Sequence, residues 1–352
     1  MKGLYIHIPF CKRKCGYCDF YSINFNSDLA VKYQNEIKNR LKNYTTVFDT
    51  VYFGGGTPSI IGDGVADILS VVKTANNAEI TAECNPDSAT DLFLSTAVKA
   101  GVNRLSIGLQ SANDDELKTL TRPHTARDVE TAINKAREYG ISNISLDVMM
   151  GYKGQTINSL KSTLDFCIRM NVNHISAYML KIEENTAFAK SQDIISKDDD
   201  LAKLYEFCCD YLEENGYCQY EISNFAKTGF ECRHNLIYWN CEDYLGLGPA
   251  AHSFWQGKRY HFNRDISAFL EGDDMICDGD GGDFDEYVML RLRLNSGLLF
   301  SDLESRGYTL PRDFISKCKT LSQNGFAEFD GTSLKLTKKG LLVQNSVLGF
   351  LL

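Results

Sequence analysis

The sequence is short of proline, with six in 352 residues, and it contains no low-complexity run. Both absences argue against long disordered linkers. No run of about 18 apolar residues is present, so no membrane-spanning helix is expected. A basic excess is also missing. The formal net charge of −9 disfavours nucleic acid as a main partner, because phosphate binding needs a basic face. No internal repeat of fixed period is visible. The opening MKGLYIHIPFC reads as a strand start and lacks the pattern of a signal peptide. Twelve cysteines without an export signal point to a reducing cytoplasm in which thiols stay free. What remains is ordinary for a globular protein: 43% hydrophobic and 24% charged residues, in a chain long enough for one large domain and a small one.

Three of the cysteines stand apart. Cys11, Cys15 and Cys18 form a CxxxCxxC spacing within YIHIPFCKRKCGYCDFYS, directly after a short β-type run. Three thiolates this close cannot all pair as disulfides, but they can converge on one metal centre. Zinc would want a fourth protein ligand nearby, and the next cysteine is Cys84. A 4Fe–4S cluster on three thiolates leaves one iron open to a small molecule. The bland alternative is a zinc knuckle or three unrelated core cysteines. Most of the others, among them Cys84, Cys167, Cys208, Cys209, Cys218 and Cys318, read as packed small hydrophobes.

The chain beyond alternates. Strand patterns over 3–9, 47–53, 78–84, 103–110, 143–151 and 174–180 are separated by helical periodicity over 28–44, 64–74, 87–100, 125–139 and 157–170. Six strands alternating with helices imply an α/β fold with a parallel sheet. Gly54-Gly55-Gly56-Thr57-Pro58 follows the second strand. It is either a tight turn or a place where a ligand meets the backbone. Glu83, Gln110 and Asp147 lie at or near the C-terminal ends of their strands, the edge that carries chemistry in barrel-like α/β folds.

Residues 183–200 are polar and mark the exit from a first domain, and 201–214 read as an amphipathic helix. The stretch 217–255 is dense in aromatics, His and Gly, which suits a planar apolar ligand with a polar rim. His234, His252, Cys232 and Cys241 are candidate iron ligands there; a hydrogen-bonded core residue is the alternative for each. From 283 the pattern changes to a helix, DEYVMLRLRL, then short helices and a β-hairpin, a winged-helix-like lobe. Its lysines, Lys317, Lys319, Lys335, Lys338 and Lys339, are scattered among acids, so a structural lid over the barrel is expected rather than a DNA reader.

These strings carry a resemblance. CxxxCxxC with Tyr17 before its last cysteine resembles the radical S-adenosylmethionine superfamily. YIHIPFC…CDFYS resembles more specifically the subgroup of oxygen-independent coproporphyrinogen dehydrogenase, over nearly the whole chain. The resemblance implies a partial (β/α)6 barrel over 1–200 with a 4Fe–4S cluster on Cys11, Cys15 and Cys18. It also implies a connecting region over 201–282 and a smaller α+β, winged-helix-like C-terminal domain over 283–352. It implies that Tyr5, Gly55, Gly56, Thr57, Glu83, Gln110, Arg122 and Asp147 line S-adenosylmethionine, with Tyr17 on its adenine. Glu83 would receive the amino group, Arg122 the carboxylate and Asp147 the ribose hydroxyls. A solvated loop arginine is the alternative for Arg122.

The string RHNLIYW, 233–239, resembles the HNxxYW motif of the haem-chaperone branch of that subgroup, which makes His234 the candidate haem contact. Three readings stay open: a haem chaperone serving apo-haemoproteins, membrane-bound ones included; a coproporphyrinogen III dehydrogenase; and another radical enzyme or electron carrier. The dehydrogenase branch carries a fourth cysteine close behind the third, where this sequence has Asp19 and CDF, and a longer segment before the first. Those differences and HNLIYW favour the chaperone. A homodimer is compatible with this reading, and no catalytic residue is assigned.

Overall fold

A computed structural model describes residues 1–190 and 194–352; positions 191–193, inside the polar exit expected over 183–200, lie outside the described residues. The six expected strands form: β1 Gly3–Ile8, β2 Phe48–Gly55, β3 Thr74–Cys84, β4 Arg104–Gln110, β5 Asn143–Met150 and β6 His174–Met179. Each pairs in parallel with the next. The period of two sorts their side chains. In β4 every residue is buried, with Leu105, Ile107 and Leu109 on one face and Arg104, Ser106 and Gln110 on the other. Neighbouring strands repeat this, setting Thr50, Thr81, Ser145, His174 and Ser176 on the polar side. Strands covered on both faces normally read as apolar runs. Here one buried face is polar, which marks a barrel interior built for chemistry.

The apolar face packs on helices, among them α1 Ser27–Leu41, α2 Gly64–Leu69, α3 Asp91–Lys99, α4 Asp114–Thr119, α5 Ala126–Glu138 and α6 Ile157–Arg169. Their starts follow from local chemistry. Thr125 and Asp128 close a reciprocal capping box on α5, and Thr156 and Ser159 one on α6, each such cap contributing about 1 kcal/mol. Val129, Ala132, Ile133 and Ala136 then bury one stripe of α5. Two helices are shorter than their periodicity suggested. α2 stops at Leu69 because β3 begins at Thr74, and α3 starts at Asp91 because Pro86–Ser88 form a separate 3₁₀ turn.

The segment 201–282 extends the same sheet at both edges. After α7 Asp198–Glu214, strands β7 Cys218–Glu221 and β8 Asn224–Ala226 add antiparallel beyond β6. The chain then crosses under the barrel as α8 Arg233–Trp239. Strand β9 Tyr244–Leu247 pairs in parallel with β1, and β10 His252–Trp255, β11 Lys258–His261 and β12 Ile276–Asp280 follow antiparallel. The sheet has twelve strands in the order β12-β11-β10-β9-β1-β2-β3-β4-β5-β6-β8-β7.

The C-terminal unit has its own core around Phe314, Cys318, Leu334 and Leu303, shared with Ile222, Cys241 and Phe254. A helix Phe284–Arg291 leads into a three-stranded sheet of Leu298–Leu299, Ala327–Phe329 and Ser333–Leu336 with two helices between. Two more helices, Lys338–Leu342 and Gln344–Leu351, follow the hairpin that was expected to end the chain. This unit packs on α8 through Arg291 and Asn240, and on β7 through an Arg293–Glu221 ion pair at 3.3 Å. It is therefore a floor beneath the barrel, and the expected lid is not formed by it. Cys218 corrects another expectation: it opens an edge strand and is exposed, as is Cys277.

Candidate functional site

The cluster loop is fixed at both ends. Phe10–Cys11 and Ile23–Asn24 form a small parallel ladder, and Ile23 N–H donates to Pro9 O at 2.8 Å while Phe25 N–H donates to Cys11 O at 2.9 Å. Between these clamps, Gly16 N–H donates to Thr121 Oγ1 at 2.8 Å and Gly16 O accepts from Phe188 N–H at 2.9 Å. A Cβ on Gly16 would lie 2.2 Å from the Phe188 ring, so glycine lets the loop lie flat on its neighbour. Cys11, Cys15 and Cys18 line one cavity of about 630 Å³ at the C-terminal ends of the strands, within the usual size of small-molecule sites, about 300–1,000 Å³.

Polar partners reach the thiols. Arg122 Nη1 donates to Cys15 Sγ at 3.2 Å and Thr57 Oγ1 to Cys11 Sγ at 3.5 Å. Burial pushes the Cys11 thiol upward and that of Cys18 to about 11. Metal binding has to remove those protons. Among the described residues, no three His, Cys, Asp or Glu side chains close around a point that would hold a single ion. Three thiols lining one cavity suit a 4Fe–4S cluster, in which each thiolate binds a different iron.

The opposite wall carries carboxylates. Glu83 accepts from Tyr52 Oη at 3.0 Å and Gly55 N–H at 3.1 Å. Burial, aided by the charge of Asp147, pushes its carboxyl up to about 7, against the pull of these hydrogen bonds. Burial raises Asp147 too, opposed by Ser106 Oγ, which donates to it at 3.1 Å. Gly55 sits at φ +105°, and a Cβ on Gly56 would lie 2.6 Å from Phe10 O, so both glycines are required where this turn meets the cluster strand. Gln110 closes β4 at φ 67°, beside a register shift against β5; such strain in a non-glycine residue concentrates at functional sites. Arg122 Nη2 donates to Asn85 Oδ1 at 2.7 Å, while its buried Nε has no acceptor among the described residues. Tyr17 leans on Phe188 with ring centroids 6.2 Å apart.

The cavity thus gathers the three cysteines with Tyr17, Gly55, Gly56, Thr57, Glu83, Gln110, Arg122 and Asp147. The residues present fit a cluster with a zwitterionic small molecule beside it: three thiols, an orphaned guanidinium N–H and a carboxyl opposite. Among the described residues, none from 283–352 lines this cavity.

Two expected residues stand elsewhere. Tyr5 stacks on Tyr52 with ring centroids 6.3 Å apart, donates or accepts at His7 Nδ1 at 3.0 Å, and lines a neighbouring cavity. His234 lies at the other end of the barrel, buried within α8. Its Nδ1 meets Thr50 Oγ1 and its Nε2 meets Tyr238 Oη, both at 2.7 Å, and burial lowers its pKa to about 3. In this conformation neither nitrogen reaches a ligand. Cys232 and Cys241 are buried, and His252 is exposed. Asn85 and Tyr178 also line the cluster cavity and were not anticipated, although each lies at the end of a strand like Glu83.

Comparison with known proteins agrees with this architecture. Residues 5–167 match the Radical SAM superfamily and residues 284–343 the HemN C-terminal domain. The fold is similar to that of coproporphyrinogen III oxidase (HemN) from Escherichia coli, a radical SAM enzyme. The TM-score is 0.84 at 21% identity, covering 99% of this chain and 89% of that one. The chain is 33% identical to the heme chaperone HemW of Bacillus subtilis (strain 168), covering 99% of this chain and 98% of that protein. It is 36% identical to the heme chaperone HemW of Escherichia coli (strain K12) over 83% of this chain and 82% of that protein. The chain belongs to the radical SAM superfamily and, within it, to the heme chaperone HemW family.

Proposed function

We propose that this protein binds haem and hands it to apo-haemoproteins, while carrying a 4Fe–4S cluster and binding S-adenosylmethionine. The observation that carries the reading is the likeness to named haem chaperones along 99% of the chain. In this reading Cys11, Cys15 and Cys18 hold the cluster, which when bound supplies one-electron chemistry to the sulfonium ligand. The chain's own groups do the rest. Gly55 and Gly56 let the ligand approach the backbone, with Thr57 and Gln110 beside it. Glu83 takes the ligand's ammonium group, and a cation arriving there draws its proton off near neutral pH. Arg122 takes the carboxylate with the N–H that has no acceptor. Asp147 accepts from ribose hydroxyls, and Tyr17 packs on adenine. Tyr5 supports this wall from behind, through its stack on Tyr52.

The retained site serves as a sensor or switch in this reading, and turnover on coproporphyrinogen is not expected. The reading also includes a cytoplasmic location, clients among membrane-attached haemoproteins, and a homodimeric state; no helix of the described residues is long and apolar enough to cross a membrane. The test is anaerobic incubation of the reconstituted protein with coproporphyrinogen III, S-adenosylmethionine and a reductant. No protoporphyrinogen should form, while haem added to the same preparation binds with a difference spectrum. Protoporphyrinogen formation would overturn the chaperone reading in favour of the dehydrogenase.

A further inference from the structure

A second cavity, of about 510 Å³, adjoins the cluster loop on the side of β1 and the added strands β9 to β11. Its walls are aromatic: Phe20 from the cluster loop, Tyr238 and Trp239 from α8, and Tyr244 from β9. Phe20 is 65% exposed, more than any other exposed large apolar side chain among the described residues, and a flat ligand seated beside it would cover its ring. Asp19 and Phe20 line both this cavity and the cluster cavity.

The cavity explains how RHNLIYW is used. Its Tyr and Trp face the second cavity, while its His is turned the other way and holds the Tyr238 hydroxyl at 2.7 Å. Tyr238 in turn meets Tyr244 edge-on at 4.5 Å. His234 is therefore a positioning residue for an aromatic wall.

The polar groups at the rim also point to one ligand class. Two histidines line the cavity, and they differ. His7 has both nitrogens occupied, by Tyr5 Oη at 3.0 Å and Tyr21 O at 2.8 Å. The imidazole of the exposed His252 makes no hydrogen bond among the described residues; its ring lies beside that of His261, its cross-strand neighbour, at 5.7 Å. Arg264 stands over the opening with its side chain 53% exposed, donating to Asp19 O at 2.5 Å and lying 3.6 Å from Asp19 Oδ1. Arg259 binds Tyr244 Oη at 2.9 Å and the Glu286 carboxylate. An imidazole with free nitrogens, flat aromatic walls and a rim guanidinium match an iron-bearing planar macrocycle with carboxylate arms.

We infer that haem is carried in this second cavity, with His252 as an iron ligand, Phe20, Tyr238 and Trp239 as walls, and Arg264 on a propionate. The inference rests on the reading that this chain binds haem, and it names the site. The experiment is titration of the cluster-loaded protein with ferric haem, followed by Soret absorption and resonance Raman, for the parent, His252→Ala, His234→Ala and Arg264→Ala. His252→Ala should weaken binding roughly tenfold or more and remove the histidine–iron signature, and added imidazole should restore that signature. Arg264→Ala should weaken binding with the signature intact. His234→Ala should weaken binding while keeping the signature, because it acts through Tyr238. Parent-like affinity and spectrum for His252→Ala would overturn the site and leave the haem reading standing. Absence of haem binding by the parent itself would overturn both. Cluster content of each variant, read from iron and sulfide, reports that the fold is intact.

Discussion

Glu83 shows how much a single buried group does. Its carboxyl titrates near 4.5 when free and near 7 in the fold, chiefly because it is buried. A carboxyl raised on folding adds stability fully below its unfolded value, and that contribution is lost as pH climbs through the folded value. The unliganded protein should therefore lose stability between pH 4.5 and 7. Glu83→Gln should flatten that part of the curve and exceed the parent by about 1–3 kcal/mol at pH 8, at about 1.4 kcal/mol per pKa unit. Parallel curves from denaturant unfolding at several pH values would contradict this. Cys15→Ala should abolish the cluster's absorbance and its stoichiometric iron and sulfide; unchanged content would defeat the assignment. At this scale the sequence was readable where a rule of position applies. Glu83, Gln110 and Asp147 were found because strand ends carry chemistry. Asn85 and Tyr178 obey the same rule but are harder to see in the sequence, one because a proline follows it and the other because its aromatic ring reads as core. His234 was singled out by its motif, but whether a side chain faces a cavity or a core depends on packing that no local string reveals.

At the scale of elements, legibility tracks where the stabilising contacts come from. Helices α5 and α6 were read correctly because their caps and apolar stripes are written locally. Helix α8 was not, because its first turn is capped from afar. Glu79, at the start of the buried part of β3, accepts from Arg233 N–H at 3.2 Å and His234 N–H at 3.1 Å, while Cys232 provides no side-chain cap. Glu79→Ala leaves those N–H groups without an acceptor in a dry place. It should cost about 2 kcal/mol or more, read as a lower denaturant midpoint, and a shift within error of zero would show that α8 stands without it. The turn after β2 offers a second case. Gly56→Ala places a Cβ against Phe10 O and Ile8 O, backbone atoms of the strand that carries Cys11 and of the end of β1 that leads into it. We expect a loss of about 1–3 kcal/mol together with poorer cluster retention on exposure to air. Retention equal to the parent's would detach this turn from the cluster loop.

At the scale of the whole molecule, one twelve-stranded sheet carries the chemistry at one end, and the C-terminal unit with its own small sheet forms a floor at the other. The parallel core of six strands was evident from alternation and length. The extension of that sheet by residues of the 201–282 segment was not, because β7 to β12 are short and each depends on an edge that exists only once the core has formed. The same extension creates the second cavity, between the cluster loop and β9 to β11, so the segment richest in aromatics became a wall shared with the site nearest the N-terminus. A carrier built this way should hold its cargo beside the cluster and release it to another protein. The most direct measurement mixes the haem-loaded, cluster-containing protein with an apo-haemoprotein and follows the acceptor's own absorption spectrum and activity. Transfer that restores the acceptor, with the loss of haem from the donor in equal measure, is the expected result. Haem that stays on the donor, or an acceptor restored no better than by the same amount of free haem, would contradict it.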